Sequence, residues 1–429
     1  MRKRPSLAGF IAVQVLVVVA AAVSLSLGTG QASVESRRFL TGNKLIQPVE
    51  VPRERGILIA PLYDEPSIVS DEELADVLKQ ILPRFPRKHL KPNHVEHALR
   101  TWHIDATFQN PEVLSGEEMK EFLVDHGKFL ASWDQETLPL LMDRPDGVAV
   151  RWGSNAYSSV HHDHWLACLT EAGIPRDEPI FTPTRSMTIK DAIEEAVRDF
   201  QLDERETEWT TLSFALWFPE THRWQNGEGR VMSFDLLAER LMRGDKRFGV
   251  CVGTHRVYSL MALIRLDETY HLLSPEMHTQ VYAYLENVRD LITACQFEDG
   301  RWPPDWQRGA AALTDPGEDE PYRSVIATGH HLEWLAIAPQ ELHPPREMIE
   351  KAADWIIRTT LEKTPDEILG HYTFYSHVGN ALSLWRHTRA ADFWRTWQAD
   401  HPGFDSTPSN ATAEGPAEGP AEARRPTDL

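Results

Sequence analysis

Apolar residues between positions 70 and 401 recur at intervals of three and four, which predicts a body built almost wholly of α-helices. Six segments have one apolar stripe and one charged face, as a helix with one side in water does. They begin near residues 70, 115, 187, 233, 275 and 346. Ser70 with Glu73, and Ser115 with Glu118, form capping boxes at the first two starts. These six segments are the predicted outer helices.

Each outer segment is followed by a second segment that is apolar nearly all round, which is typical of a helix enclosed by protein. These inner segments are 93–102, 158–169, 209–218, 253–266, 328–338 and 373–385. The predicted fold is therefore all-α, with about six outer–inner helix pairs that close into an α/α toroid over residues 70–401. An irregular helical domain is the alternative.

The ends of the chain differ from this body. Three basic residues at 2–4 precede an apolar run from 7 to about 27, which is long enough for a membrane-spanning helix. The small residues at 30–32 also suit cleavage, so residues 1–32 are either a signal anchor or a signal peptide. Residues 33–69 read as a linker and 402–429 as a disordered tail. We expect a membrane-anchored or secreted protein whose body is extracytoplasmic, with membrane contact through the N-terminal helix.

The amino-acid composition limits the classes of molecule that the protein can bind. Of 429 residues, 64 are acidic and 44 are Lys or Arg, giving a formal net charge of −20. Binding to nucleic acid requires a cationic surface, so nucleic acid is excluded as a partner. The three cysteines have no CxxC spacing and cannot build a disulfide framework.

Histidines mark the candidate site. If the inner helices are parallel, their N-termini share one rim, and five of the six carry histidine near that end. A helix N-terminus disfavours imidazolium, which predicts low pKa values and neutral rings. Glu333 shares a helical face with His330 and could be its carboxylate partner. The candidate catalytic residues are His330, Glu333, His255 and His377, and the candidate substrate-binding residues are His331, Arg323, Tyr375, Asn380, Trp334, His161 and Trp165. Each histidine could instead simply cap a helix or pack.

One segment resembles a known family. Gln296, Gly300 and Trp302, at the end of an outer helix, resemble the QW motif of squalene and oxidosqualene cyclases. The resemblance implies a toroid of the terpenoid cyclase and prenyltransferase type. It also implies local roles, in which the Gln amide satisfies free backbone groups and the indole packs over the joint between helix pairs. The motif marks architecture rather than catalysis.

A shorter segment, Gly329 to Trp334, is similar to the Gly-His-x-x-Glu-Trp segment of the N-acylglucosamine 2-epimerase family. This similarity implies that His330 is an acid/base with Glu333 as its partner, and that His255 or His377 lies opposite. The predicted function is a toroid that binds a small-molecule or glycan substrate and acts through histidine/carboxylate chemistry. The alternatives are a carbohydrate-active lyase, hydrolase or epimerase, and a non-catalytic toroid that binds a protein or glycan.

No organic cofactor is predicted, but two patterns could involve other chemistry. His161 and His164 share a helical face beside Asp163 and could hold a divalent metal if His94, His97 or His255 supplied a third ligand. A polar rim of the cavity is the simpler interpretation. Cys251 and His255 have the spacing of a nucleophile and its base, or of plain packing. The acidic turn at 315–320 could be a lid or a cation site, or a solvated loop.

Overall fold

The computed structural model describes residues 49–244, 250–314 and 321–405. The predicted leader (1–32), the first part of the predicted linker (33–48), the acidic turn at 315–320 and the tail beyond residue 405 lie outside the described residues. Within the described residues, none of the helices combines the length and the apolar character needed to cross a membrane.

The described residues are mostly helical, as predicted, and form sixteen α-helices. These are α1 Asp71–Gln80, α2 Pro92–Trp102, α3 Gly116–Val124, α4 His126–Ser132, α5 His164–Glu171, α6 Ile189–Asp199, α7 Glu208–Trp217, α8 Phe234–Arg243, α9 Thr254–Tyr270, α10 Pro275–Cys295, α11 Ala311–Thr314, α12 Pro321–Ala336, α13 Arg346–Leu361, α14 Pro365–Gly370, α15 Tyr372–Trp385 and α16 Ala390–Asp400. The capping boxes at Ser70 and Ser115 are confirmed, because each hydroxyl accepts from the backbone N–H three residues on.

Three short antiparallel hairpins, which the sequence did not predict, lie in the connections between helices. They pair β1 Leu141–Asp143 with β2 Val148–Val150, β3 Pro179–Phe181 with β4 Ser186–Thr188, and β5 Trp224–Gln225 with β6 Val231–Met232. The first hairpin lies between α4 and α5, the second between α5 and α6, and the third between α7 and α8. The hairpins lengthen loops and leave the helical core unchanged.

The six predicted one-sided segments fall on α1, α3, α6, α8, α10 and α13, here called outer helices, and the six predicted enclosed segments fall on α2, α5, α7, α9, α12 and α15, here called inner helices. Each inner helix packs against the next one along the chain, and α15 packs against α2, so the contacts form a closed cycle. The inner helices are buried on almost every side; all ten residues of α7, for example, are buried. The outer helices α1, α3, α8, α10 and α13 contact the inner ones. A further helix, α16, packs on α1, α2 and α15, where the last pair meets the first.

The described part of the predicted linker is packed on the body. The backbone N–H groups of Ile57, Leu62 and Glu65 donate to carbonyls at the last residues of α7, α12 and α15, namely those of Leu216, Ala336 and Trp385. One extended segment can reach all three carbonyls only if these helices end on the same side of the protein. The inner helices α7, α12 and α15 are therefore parallel.

The QW-like segment makes the contacts that the resemblance implies. The Gln296 amide donates to the carbonyls of Gly300 (2.8 Å) and Met348 (2.7 Å), and the second of these begins the next helix pair. The Trp302 indole is fully buried and donates to the carbonyl of Ile292. Gly300 has φ +101°, and a Cβ there would lie 2.1 Å from the carbonyl oxygen of Lys351, so only glycine fits this joint.

Candidate functional site

Six aromatic side chains, one from each inner helix, meet at the centre of the cycle. Neighbouring ring centroids lie 3.8 to 5.3 Å apart all the way round. Each side chain is at most 5 % exposed. We call this set the central ring cluster; its members are His97, His164, Trp209, His255, His330 and His377. The predicted convergence of histidines from five helices is therefore observed, but in the interior rather than at an open mouth.

Burial determines how these histidines titrate. Removal from water lowers the pKa of all five imidazoles, and that of His330 falls to about 4. His164 and His255 do lie in the first turn of their helices, but His330 is the tenth residue of α12. The rings are thus neutral, as predicted, but the cause is desolvation rather than the helix N-terminus.

Hydrogen bonds fix the tautomers of two of these rings. Nδ1 of His97 lies 2.8 Å from the carbonyl of Asn93, and Nδ1 of His330 lies 2.7 Å from the carbonyl of Ile326. A carbonyl only accepts, so both Nδ1 atoms carry the proton, and Nε2 of each of these two rings keeps its lone pair. Nδ1 of His377 lies 2.9 Å from a carboxylate oxygen of Glu333 and 2.9 Å from Nη1 of Arg100. Glu333 pairs with His377, not with His330 as the sequence suggested.

A second set of side chains forms a polar layer next to the ring cluster. Arg100 donates to Glu171 (2.6 Å) and to Glu333 (2.8 Å), while Asn380 also donates to Glu333 (2.8 Å). The hydroxyl of Tyr258 donates to the other oxygen of Glu171, at 2.7 Å. We call Arg100, Glu171, Tyr258, Glu333 and Asn380 the polar layer. Burial by itself lowers the pKa of Arg100, but Glu171 and Glu333 more than offset this and raise it well above its ordinary value.

The two sets are related by a constant step along the chain. The polar-layer members on α2, α9, α12 and α15 each follow a ring-cluster histidine by three residues, about one helical turn. The step leads from the ring cluster to the polar layer in the same direction on all four helices. The polar layer therefore lies on the C-terminal side of the ring cluster.

A cavity of about 360 Å³ opens on that side. Arg100, Glu171, Tyr258 and Asn380 form part of its lining. Its other walls include Leu216 and Leu384 near the ends of inner helices, segment 57–61, and residues 387–389 and 392. Nη2 of Arg100 is buried, and no hydrogen-bond partner for it is found among the described residues. The cavity is therefore lined by a guanidinium together with carboxylate, hydroxyl and amide groups.

His161 and Trp165 lie at a different place. Both line a second cavity of about 190 Å³, together with His162, Asp199 and the half-exposed Trp152. Burial would lower the pKa of His162, but Asp163, Glu204 and Asp199 raise it to about 10.

The metal site suggested for His161, Asp163 and His164 is not assembled. Nδ1 of His161 pairs with Glu206 at 2.8 Å, whereas Nδ1 of His164 pairs with Glu96 and its Nε2 contacts the Cys168 thiol. Asp163 instead accepts from the Thr210 hydroxyl. The imidazoles of His161 and His164 are thus hydrogen-bonded to different partners.

The remaining predicted substrate-binding residues are not gathered at the cavity, with the exception of Asn380. The Trp334 indole donates to Nδ1 of His331 at 2.9 Å, and the His331 ring packs against Trp302, beside the QW-like joint. Tyr375 is buried and Arg323 is exposed; neither lines either of the two cavities.

Three polar-layer residues, Arg100, Glu171 and Tyr258, were missed by the sequence reasoning. The step of three residues from a central histidine would have identified Arg100 and Tyr258.

Comparisons with protein-family models, with curated proteins and with solved structures give no match for this chain. Chemically, the polar layer joins the cavity to neutral imidazoles through Glu333, which is an arrangement suited to holding a polar ligand and moving protons.

Proposed function

We propose that the protein is an α/α toroid, similar to one domain of the terpenoid cyclase and prenyltransferase type, that binds a small oxygen-rich molecule and acts on it by acid–base chemistry. The closed cycle of inner-helix contacts supports the toroid. The observation that carries the function is the cavity whose lining includes Arg100, Glu171, Tyr258 and Asn380. A buried layer of charged and polar groups beside an open cavity is a common setting for a functional site.

The lining favours a neutral, hydroxyl- or carbonyl-bearing ligand. Two cationic side chains, Arg100 and Arg389, are matched by two anionic ones, Glu171 and Asp392. A buried donor without a partner is costly, and a ligand oxygen that accepts from Nη2 of Arg100 would remove that cost. The volume of about 360 Å³ is near the lower end of the roughly 300–1,000 Å³ of small-molecule sites, so a monosaccharide-sized ligand fits better than a triterpene.

In this proposal the residues of the polar layer have different chemical roles. Arg100 and Asn380 donate hydrogen bonds to a substrate carbonyl or hydroxyl oxygen. Glu171 and Tyr258, which share a hydrogen bond, accept and donate a proton beside that carbonyl. Glu333 and His377 act as positioning residues, because they hold Arg100 and Asn380 through the buried carboxylate. The role of His255 and His330 as acid–base catalysts stays a prediction.

Thermal denaturation with three probes tests this function: D-mannose as a neutral sugar, D-glucuronate as an anionic one, and farnesol as an isoprenoid. Ligand bound at 100 times its Kd stabilises a protein by about 2.7 kcal/mol, so we expect mannose to raise the Tm most. Tyr258→Phe should reduce that rise by removing one donor, whereas Tyr282→Phe on the outer helix α10 should not. A shift with farnesol alone would instead favour the isoprenoid activity of the family that the chain resembles. A mannose shift that survives in Tyr258→Phe would place the binding site elsewhere.

A second candidate is a toroid that binds its ligand without turning it over. The filled centre favours it, because the imidazoles of the ring cluster are closed off from solvent. Stoichiometric recovery of unchanged mannose after prolonged incubation would support this candidate. Interconversion with an isomeric sugar, lost in Glu171→Gln, would exclude it.

The predicted location is part of the same proposal. We infer an extracytoplasmic body that is either anchored by the N-terminal apolar run or released after its cleavage. Alkaline washing of isolated membranes distinguishes the two, because a spanning helix retains the protein in the membrane fraction. Recovery of the protein in the cytoplasmic fraction would contradict both.

A further inference from the structure

Two imidazoles of the ring cluster face each other through ring nitrogens. Nε2 of His330 lies 3.0 Å from Nε2 of His255, and the His330 ring centroid lies 3.8 Å from that of His377. Nε2 of His330 carries no proton, because the proton is on Nδ1. This nitrogen can therefore either accept a hydrogen bond from Nε2 of His255 or share a cation with it.

The outer side of the His330 ring is held as metal ligands are held. A ligating histidine usually donates its second ring N–H to a carbonyl or a carboxylate, which fixes the tautomer and makes the free nitrogen more basic. His330 donates in this way to the carbonyl of Ile326. Glu333 accepts from Arg100 and Asn380 through one oxygen, and with His330 and His377 it forms a second group whose ligand atoms lie within 4.8 Å of one another.

A thiol lies beside the facing nitrogens of His255 and His330. The Sγ atom of Cys251 and a ring nitrogen of each of His255 and His330 all lie within 4.8 Å of one another. Cys251 belongs to the short turn Val250–Gly253, in which Cys251 has φ 47° and Val252 has φ 55°. A left-handed conformation is unfavourable for a β-branched residue and is found where the surroundings hold the backbone in place. The Trp306 indole donates to the carbonyl of Val252 at 3.1 Å and so holds the turn against the ring cluster.

We propose that Cys251, His255 and His330 form a binding site for one divalent transition-metal ion, with Zn²⁺ as the expected occupant. Two imidazole nitrogens and one thiolate are ligands that zinc prefers, and three protein ligands leave a fourth coordination position open. Binding displaces the thiol proton of Cys251 to solvent, with no redox change. The proposal goes beyond the proposed function, because none of the three ligands lines the cavity.

The site also gives Cys251 a different role from the nucleophile suggested by its spacing from His255. Burial raises the pKa of the Cys251 thiol to about 12, so the free thiol is a poor nucleophile. A metal ion at the adjacent nitrogens would stabilise the thiolate without exposing it to a substrate.

Metal content of the purified full-length chain tests the inference. The protein is stripped with EDTA, titrated with Zn²⁺ against a chromophoric chelator, and separately loaded with Co²⁺. We expect one ion per chain and a Co²⁺ spectrum with tetrahedral bands and a thiolate charge-transfer band. His330→Ala should lower Zn²⁺ affinity at least 100-fold. Cys251→Ser should abolish the charge-transfer band and weaken binding by a smaller factor.

His94→Ala is the control, because His94 is a partly buried histidine of an inner helix that packs against Phe85 and Tyr372, outside the ring cluster. It should keep one ion per chain. Absence of Zn²⁺ and Co²⁺ binding by the wild-type protein, or unchanged affinity in folded His330→Ala, would overturn the inference. If His330→Ala does not fold, the wild-type Co²⁺ spectrum decides, since a spectrum without a thiolate band excludes Cys251. Tyr258→Phe should keep the metal and lose only sugar binding, so this inference and the proposed function can fail separately.

Discussion

Replacement of Arg100 by methionine tests how the buried polar layer is stabilised. The Arg100 side chain is 2 % exposed and that of Glu333 is 1 % exposed, so removal of the guanidinium leaves a carboxylate buried without a cation. Breaking a buried ion pair in this way costs about 3–5 kcal/mol. Glu171 is 13 % exposed and can be partly rehydrated, so we expect most of the cost to come from Glu333. Methionine keeps much of the side-chain volume and limits the contribution of a cavity.

Urea denaturation at neutral pH, followed by circular dichroism, measures this loss as a lower midpoint with an unchanged slope. Arg346→Met is the surface control: Arg346 is 51 % exposed and pairs with Glu65, so its loss should cost about 0–1 kcal/mol. The double variant Arg100→Met/Glu333→Gln should recover part of the loss, because it removes the uncompensated charge. A loss equal to that of Arg346→Met, or strictly additive effects of the two substitutions, would refute the claim that Arg100 compensates Glu333.

Two further predictions concern the joint between helix pairs and the second cavity. Trp302→Ala should lower the free energy of unfolding by about 3–5 kcal/mol in urea, as expected for truncation of a buried indole, and an unchanged midpoint would show that Trp302 does not pack the joint. Burial lowers the pKa of His162, but its acidic neighbours raise it by more. The pKa therefore reaches about 10, compared with an ordinary value of 6.5. Its raised pKa means that the stability it contributes is fully present below pH 6.5 and is lost as the pH rises through 10. In urea midpoints across that range, His162→Gln should flatten the pH dependence; an identical dependence in the variant would argue against the raised pKa.

Much of the helical organisation follows from local signals in the sequence. The alternation of one-sided and all-round apolar segments identifies the six outer and six inner helices, and the Ser70 and Ser115 capping boxes mark two starts accurately. The hairpins were not predicted because each strand is only two or three residues long. A strand of that length is too short to show a recognisable alternation of apolar and polar residues.

The site was predictable only in part. The sequence led to His255, His330, His377 and Asn380 because each stands in a predicted inner segment, although His330 is the tenth residue of α12 and not near its start. Arg100 was missed because its partner Glu333 is 233 residues away in the chain, and no local signal links the two.

By itself the sequence determined which segments are helices, which of them are enclosed, and that five of the enclosed ones carry histidine. These properties depend on spacing and composition within a dozen residues. Tertiary structure alone decided that Glu333 binds His377, that the imidazoles fill the centre, and that the cavity opens at the C-terminal ends of the inner helices. Those outcomes depend on the rotation of each helix about its axis and on the direction of each side chain, which only packing against the other helices sets.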